Sequence, residues 1–255
     1  MATASLDINC DCGESFGNWR MGADAELMPA ITTANVACGF HAGDPLTMLR
    51  TIDLAAANDV AVGAHPGLPD LMGFGRRRMQ ITPDEAYAYV TYQAGALAGM
   101  LATRGMALHH VKPHGALYLM LNEDADLAEA VVRAIIDVCP SPRLYWPAPV
   151  DGRALPEAAR AAGVTLVREV YFDLEYDANA SLVLQREKRP VDLEDMKRRL
   201  ADYLATGEIT ATTGERLSMP AESLCVHGDG PNAPEVARTL REVLSDRSLA
   251  VEAAE

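Results

Sequence analysis

No apolar run in this chain is long enough to cross a membrane, and the stretch from Met1 to Asp7 has neither the basic start nor the apolar core of an export signal. Positive charge is scarce too. Three lysines and nineteen arginines stand against 36 acidic residues, leaving a formal net charge of -14 and a pI near 4.8. Such a surface repels polyanions, which argues against nucleic acid or an anionic membrane as partner. Nucleotide-binding signatures are missing: there is no Gly-Lys-Ser/Thr phosphate loop, and no Gly-x-Gly-x-x-Gly follows the first strand. Five cysteines, an odd number without framework spacing, fit a reducing cytoplasm better than a disulfide scaffold. Cys10 and Cys12 have no second pair to complete a metal site. On a strand they share one face, opposite Asn9 and Asp11, and core packing is expected of them.

What is present is an alternation of short apolar runs with helical periodicity. Strands are expected near Leu6–Cys10, Ala34–Cys38, Val60–Gly63, Leu108–Lys112, Leu144–Trp146, Val164–Phe172 and Ser223–Val226. Helices are expected over Pro45–Ala57, Pro83–Thr103, Ala125–Val138, Leu155–Ala162, Leu193–Leu204 and Ala233–Leu244. Pro45 suits the first turn of its helix, and Thr82 with Glu85 three residues on reads as a capping box. Strands alternating with helices imply parallel pairing through right-handed crossovers. About seven such units without an internal linker, in 255 residues of which 49% are hydrophobic, predict one α/β domain over 1–255. A closed or nearly closed TIM-like barrel is the expected architecture, with a doubly wound open sheet as the alternative.

Four of the six histidines, His41, His65, His114 and His227, fall at predicted strand ends. Asp11, Glu14, Asp44, Asp70 and Asp229 lie in the same or adjoining loops. In a barrel these loops converge on one mouth, so residues distant in sequence become neighbours. Lys112 closes a predicted strand between His110 and His114, where a lysine can polarise a carbonyl, hold a carboxylate, or act as a base if burial depresses its pKa. His109 and His110 are adjacent and must face opposite ways. Gly73 to Arg78 is a loop with clustered cations, suited to an anion clamp or lid. Asp11 with His41, His65 and His114 also has the chemistry of a divalent metal site, although no two histidines share one helix.

With these blocks in view the chain resembles the LamB/YcsF family, the lactam utilisation proteins that serve as the A-type component of 5-oxoprolinase. The resemblance rests on Asn9–Gly17, Ala34–Pro45, Gly63–Asp70, Gly73–Arg77, Val111–Tyr118 and Val226–Asp229, which follow the family's order over nearly the whole chain. It implies a seven-stranded TIM-like barrel of the glycoside hydrolase/deacetylase type and ATP-dependent hydrolysis of 5-oxoproline to glutamate. It also implies two partner subunits. With no phosphate loop here, the ATP site is expected on those partners.

The matching blocks supply the expected catalytic set: Asp11, Glu14, His41, His65, Lys112, His114 and His227. Asp11 or Glu14, with His41 or His65, is expected to deprotonate a water, while Lys112 and His114 stabilise charge or protonate the leaving nitrogen. Asn9, Asn35, Asp44, Arg76, Arg77, Asp173 and Asp229 are expected to bind substrate. Metal content stays uncommitted, and a homo-oligomer is compatible with the sequence.

The chain departs from the family after the sixth expected strand. Leu174 and Gln185 stand where arginines are usual, and Gly230 where asparagine is usual. Each lost arginine would weaken recognition of an anionic group by about 1.5–3 kcal/mol. Three further readings follow: a hydrolase of another lactam or cyclic amide, a metal-dependent deacetylase-like enzyme, and a non-catalytic binding subunit.

Overall fold

The computed structural model of the chain describes residues 5–183 and 189–255. Its frame is a parallel sheet whose strands are buried on both faces, as near-continuous apolar runs demand. The strands are β1 (Ser5–Cys12), β2 (Thr33–Ala37), β3 (Ala61–His65), β4 (Arg143–Pro147), β5 (Thr165–Tyr171), β6 (Glu175–Tyr176), β7 (Leu182–Val183), β8 (Glu208–Thr210), β9 (Arg216–Ser218), β10 (Ser223–His227) and β11 (Ala250–Val251). Six of them run β3-β2-β1-β10-β5-β4, every neighbour parallel, and β11 pairs with the start of β1. The antiparallel pairs β6–β7 and β8–β9 lie outside this sheet.

The expected strand at Leu108–Lys112 is reduced to isolated bridges from Val111 to Ala64 and to Leu144. His109 donates to Val62 at 2.9 Å and Lys112 to Ala64 at 2.8 Å on one side. Val111 donates to Arg143 at 2.9 Å on the other. This segment therefore lies between β3 and β4, the two ends of the six-strand path. Pro113 follows at once and has no N–H with which to extend a ladder. The six strands of this path make a curled parallel half-barrel, and the expected seven-stranded barrel is not confirmed by them.

Helices cover the outside: α1 (Asp24–Leu27), α2 (Pro45–Ala57), α3 (Pro83–Ala102), α4 (Gly115–Glu123), α5 (Ala125–Val138), α6 (Ala154–Ala161), α7 (Leu193–Thr206) and α8 (Ala233–Asp246). Asp44 caps α2 through Leu46 N and Thr47 N, and the Thr82–Glu85 capping box opens α3 as expected. Helix α4 begins at Gly115 without a side-chain cap, which is why no sequence signal announces it. All five cysteines are buried thiols, with Cys10 and Cys12 in the hydrophobic core.

Register sets what meets at the carboxyl ends. Asp11 of β1 is opposite Asn35 of β2 and His227 of β10, and Asn35 is in turn opposite Gly63 of β3. Gly63 is required there, because a Cβ would sit 2.2 Å from His110 Nε2 inside the sheet's curl.

Candidate active site

Alternation turns Asn9 and Asp11 away from the cysteine face and into the curl of the sheet. Asn35, His110, Lys112, Glu169 and Cys225 join them, all buried. Lys112 Nζ donates to Asp11 Oδ1 at 3.0 Å, to Cys225 Sγ at 3.1 Å and to Asn9 Oδ1 at 3.3 Å, and lies 3.2 Å from Glu169 Oε2. Burial works against its ammonium, but the charge of Asp11, the Cys225 sulfur and Glu169 hold its pKa well above the ordinary lysine value. The sequence left open a lysine acting as base. This one is a locked cation, and its three protons are committed to the groups around it.

Asp11 is the cavity end of this network. It accepts from Asn35 Nδ2 at 2.8 Å, and His65 Nε2 lies 3.6 Å from its other oxygen. Burial alone would raise its pKa. The neighbouring His65, Lys112 and His227 outweigh burial and hold the carboxyl well below its usual range, so Asp11 is ionised. Beneath it Asn9 donates to Glu169 at 2.9 Å and to Ser223 at 2.7 Å. Asn35 Oδ1 meets His110 Nε2 at 2.6 Å. Tyr171 donates to Glu169.

Three histidines stand beside Asp11. His65 Nδ1 meets the Lys112 carbonyl at 2.7 Å, His114 Nε2 meets the Phe74 carbonyl at 2.8 Å, and His65 Nε2 and His114 Nδ1 face each other at 2.9 Å. His41 stacks on His114 with centroids 3.8 Å apart, and neither of its buried ring nitrogens has a hydrogen-bond partner. Gly67 makes room for this ring, since a Cβ there would lie 2.5 Å from His41 Nδ1. Burial lowers the pKa of all three, His114 to about 3. Glu14, His41, His65 and His114 each bring a donor atom to within 4.8 Å of the others, a set able to hold a metal ion.

Above these groups lies a cavity of about 360 Å³. Asp11, Glu14, His65, Lys112, His114, His227 and Asp229 line it, together with Arg76 and Arg153 and an apolar wall that includes Phe74, Tyr118 and Leu119. Every residue of the expected catalytic set except His41 reaches the lining, and His41 is packed directly behind His114.

The expected binding residues divide. Arg76 and Asp229 line the cavity. Asn9 and Asn35 are fully buried beneath Asp11, where their amides are spent on the network. Asp44 is occupied as the cap of α2 and by Gly17 N at 2.9 Å, away from the lining. Arg77 forks onto Asp70, with Nε at 3.0 Å, and Arg78 pairs with Glu123. Asp173 accepts from His227 N and Nδ1 at 2.9 and 2.8 Å, orienting that ring over Tyr171.

Leu174 is buried and is not part of the lining, so the departure at this position does not reach the cavity. Gln185 lies outside the described residues. Sequence reasoning missed Arg153 and Glu169. The latter had a signal: a lone acid alternating with Val167 and Tyr171 along one strand face.

The LamB/YcsF family pattern matches residues 6–255. The A-type 5-oxoprolinase component of Bordetella parapertussis is 47% identical over 252 residues, covering 98% of this chain and 99% of the relative. A lactam utilization protein from Thermus thermophilus, solved as a crystal structure, superposes with a TM-score of 0.89 at 42% identity, covering 98% of this chain and 100% of that one. A family 4 carbohydrate esterase from Streptomyces lividans shares the fold alone, at 10% identity and a TM-score of 0.51, covering 100% of this chain and 95% of that one.

Proposed function

The chain belongs to the LamB/YcsF family, and on that premise we propose that it is the ring-opening subunit of an ATP-dependent 5-oxoprolinase, converting 5-oxoproline to glutamate. One observation carries the reading. A small cavity joins an ionised Asp11, fixed by Lys112, to buried histidines on one side and two arginines on the wall.

A five-membered lactam is a resonance-stabilised amide, and its carbonyl carbon is a weak electrophile. Phosphorylation of the ring carbonyl oxygen corrects this and supplies a leaving group. The sequence carries no phosphate loop, so the ATP site is assigned to two partner subunits. Substrate carboxylate and phosphoryl group are both anions, and Arg76 and Arg153 are the cations that meet them. Asp11 and Glu14 orient the attacking water, and one of these carboxylates receives its proton as the oxygen bonds to the ring carbon. The C–N bond then breaks as the nitrogen takes a proton, which leaves an acyl phosphate. A second water attacks its carbonyl carbon, gives up its proton to the same carboxylates and expels phosphate to leave glutamate.

Lys112 works through Asp11, because its ammonium points at the carboxylate rather than at free space in the cavity. His227, held by Asp173, and Asp229 close the far side. Five buried free thiols agree with a reducing cytoplasm as the setting, where cellular ATP is at hand. No helix among the described residues is long and apolar enough to cross a membrane.

The test is ATP-dependent glutamate release by the complex reconstituted with its partner subunits. Asp11→Asn keeps the shape of the side chain and should cost about 10²–10⁴ in turnover. Full activity of that variant, or of the partners without this chain, defeats the proposal.

A further inference from the structure

The histidine cluster leaves two buried ring nitrogens, both on His41, without a protein partner. The Lys112 and Phe74 carbonyls can only accept, so His65 Nδ1 and His114 Nε2 both carry hydrogens. The opposite nitrogens, His65 Nε2 and His114 Nδ1, face each other at 2.9 Å, with room for one proton at most between them. The two ring nitrogens of His41 are buried without a hydrogen-bond partner. Buried polar atoms are rarely left so, and an unpartnered imidazole packed against two others whose nitrogens converge calls for a cation.

We propose that Glu14, His41, His65 and His114 form a binding site for a divalent transition-metal ion of the zinc class. Three imidazoles and one carboxylate are the donors such ions take, and all four residues are buried within reach of one another. The tautomers are already set as metal ligation requires. His65 and His114 each donate their other N–H to a backbone carbonyl, the usual device for aiming an imidazole lone pair at an ion.

Asp11, the carboxylate favoured from sequence order, stays outside the set because Lys112 and Asn35 engage it. Binding has a geometric consequence. Metal–nitrogen bonds of about 2.0–2.1 Å in a tetrahedral site place ligand nitrogens roughly 3.3 Å apart. The His65–His114 gap therefore opens by a few tenths of an ångström, and His41 tips out of its stack on His114.

The use of the ion rests on the ring-opening reading above: it lowers the pKa of a bound water beside the cavity, with Asp11 placed to receive the proton. The binding itself does not depend on that reading. The experiment measures zinc and cobalt uptake by the full chain after chelator treatment, using elemental analysis and the visible absorption of bound Co²⁺, without ATP or partner subunits. One equivalent is expected in the wild type.

His114→Ala and Glu14→Gln should each weaken uptake by more than the ~10–100-fold that a merely supporting residue costs. His227→Ala, outside the set, should bind as the wild type does. Glu14→Gln preserves shape, so a folded variant is at hand, with its melting checked in the same preparation. No stoichiometric uptake by the wild type, or undiminished uptake by both folded variants, overturns the site. Ring opening by the complex in metal-free buffer would then leave the functional reading intact, whereas uptake without any ring opening would sink that reading and keep the site.

Discussion

Removing the Lys112 ammonium tests the architecture of the site most directly. In Lys112→Met the apolar stem is nearly preserved while the charge is lost. Asp11 and Glu169, each within 3.2 Å of Nζ, then remain buried without their cation. Breaking a buried pair by removing one partner costs about 3–5 kcal/mol, because the remaining charge cannot return to water. For a chain of 255 residues, at about 2.1 cal/mol/K of unfolding entropy per residue, that is a fall of roughly 6–9 °C in Tm.

The cost should also depend on pH. Without the ammonium one carboxyl of the pair must take a proton to stay buried, so the variant's native state binds a proton that its unfolded chain does not. Its stability then falls as pH rises. Urea denaturation at pH 5 and pH 8 should show the larger deficit at pH 8, with part of it recovered in Lys112→Met/Glu169→Gln. A variant within about 1 kcal/mol of wild type at pH 8, or an equal deficit at both pH values, would refute the assignment of Lys112 as the cation on which the buried carboxylates depend.

Two other outcomes follow from the same geometry. Asp7 is buried under Ser223, Thr32 and Thr33, and burial raises its pKa from 3.8 to about 6 against those hydrogen bonds. A raised carboxyl favours folding below its unfolded pKa and loses that contribution as pH climbs through 6. Between about pH 4 and 7 the wild type should therefore lose about 3 kcal/mol that Asp7→Asn does not lose, as denaturation midpoints across that range would reveal. Arg153→Gln removes one of the two arginines on the cavity wall and should raise KM for 5-oxoproline about 10–100-fold with a smaller effect on kcat; an unchanged KM would exclude Arg153 from anion recognition.

Much of the frame was legible in the residue order because its signals are local. The Pro45 and Thr82 helix starts, the alternation that hides Cys10 and Cys12, and four histidines at strand ends all depend on near neighbours in sequence. What escaped lacked such a signal. Helix α4 has no cap, Leu108–Lys112 is paired only through bridges, and Arg153 reaches the cavity from the start of α6. Asp44 and Arg77 carried the right chemistry in the right loops, yet local partners claimed them: backbone amides at a helix start for one, Asp70 for the other.

The order of residues by itself determined that strands and helices alternate, that the parallel sheet buries both its faces, and that ionisable groups gather where strands end. Periodicity and turn chemistry act over a few residues, so the chain carries that information openly. Only the tertiary structure decided which of those groups are committed to one another. Lys112 became a fixed cation rather than a base because Asp11, Asn9, Glu169 and Cys225, spread from residue 9 to residue 225, close around one ammonium. His65 Nε2 and His114 Nδ1 came to face each other because two backbone carbonyls, Lys112 and Phe74, took the other sides of their rings. Protonation and ligand capacity belong to such enclosures, and an enclosure exists only once the sheet has curled.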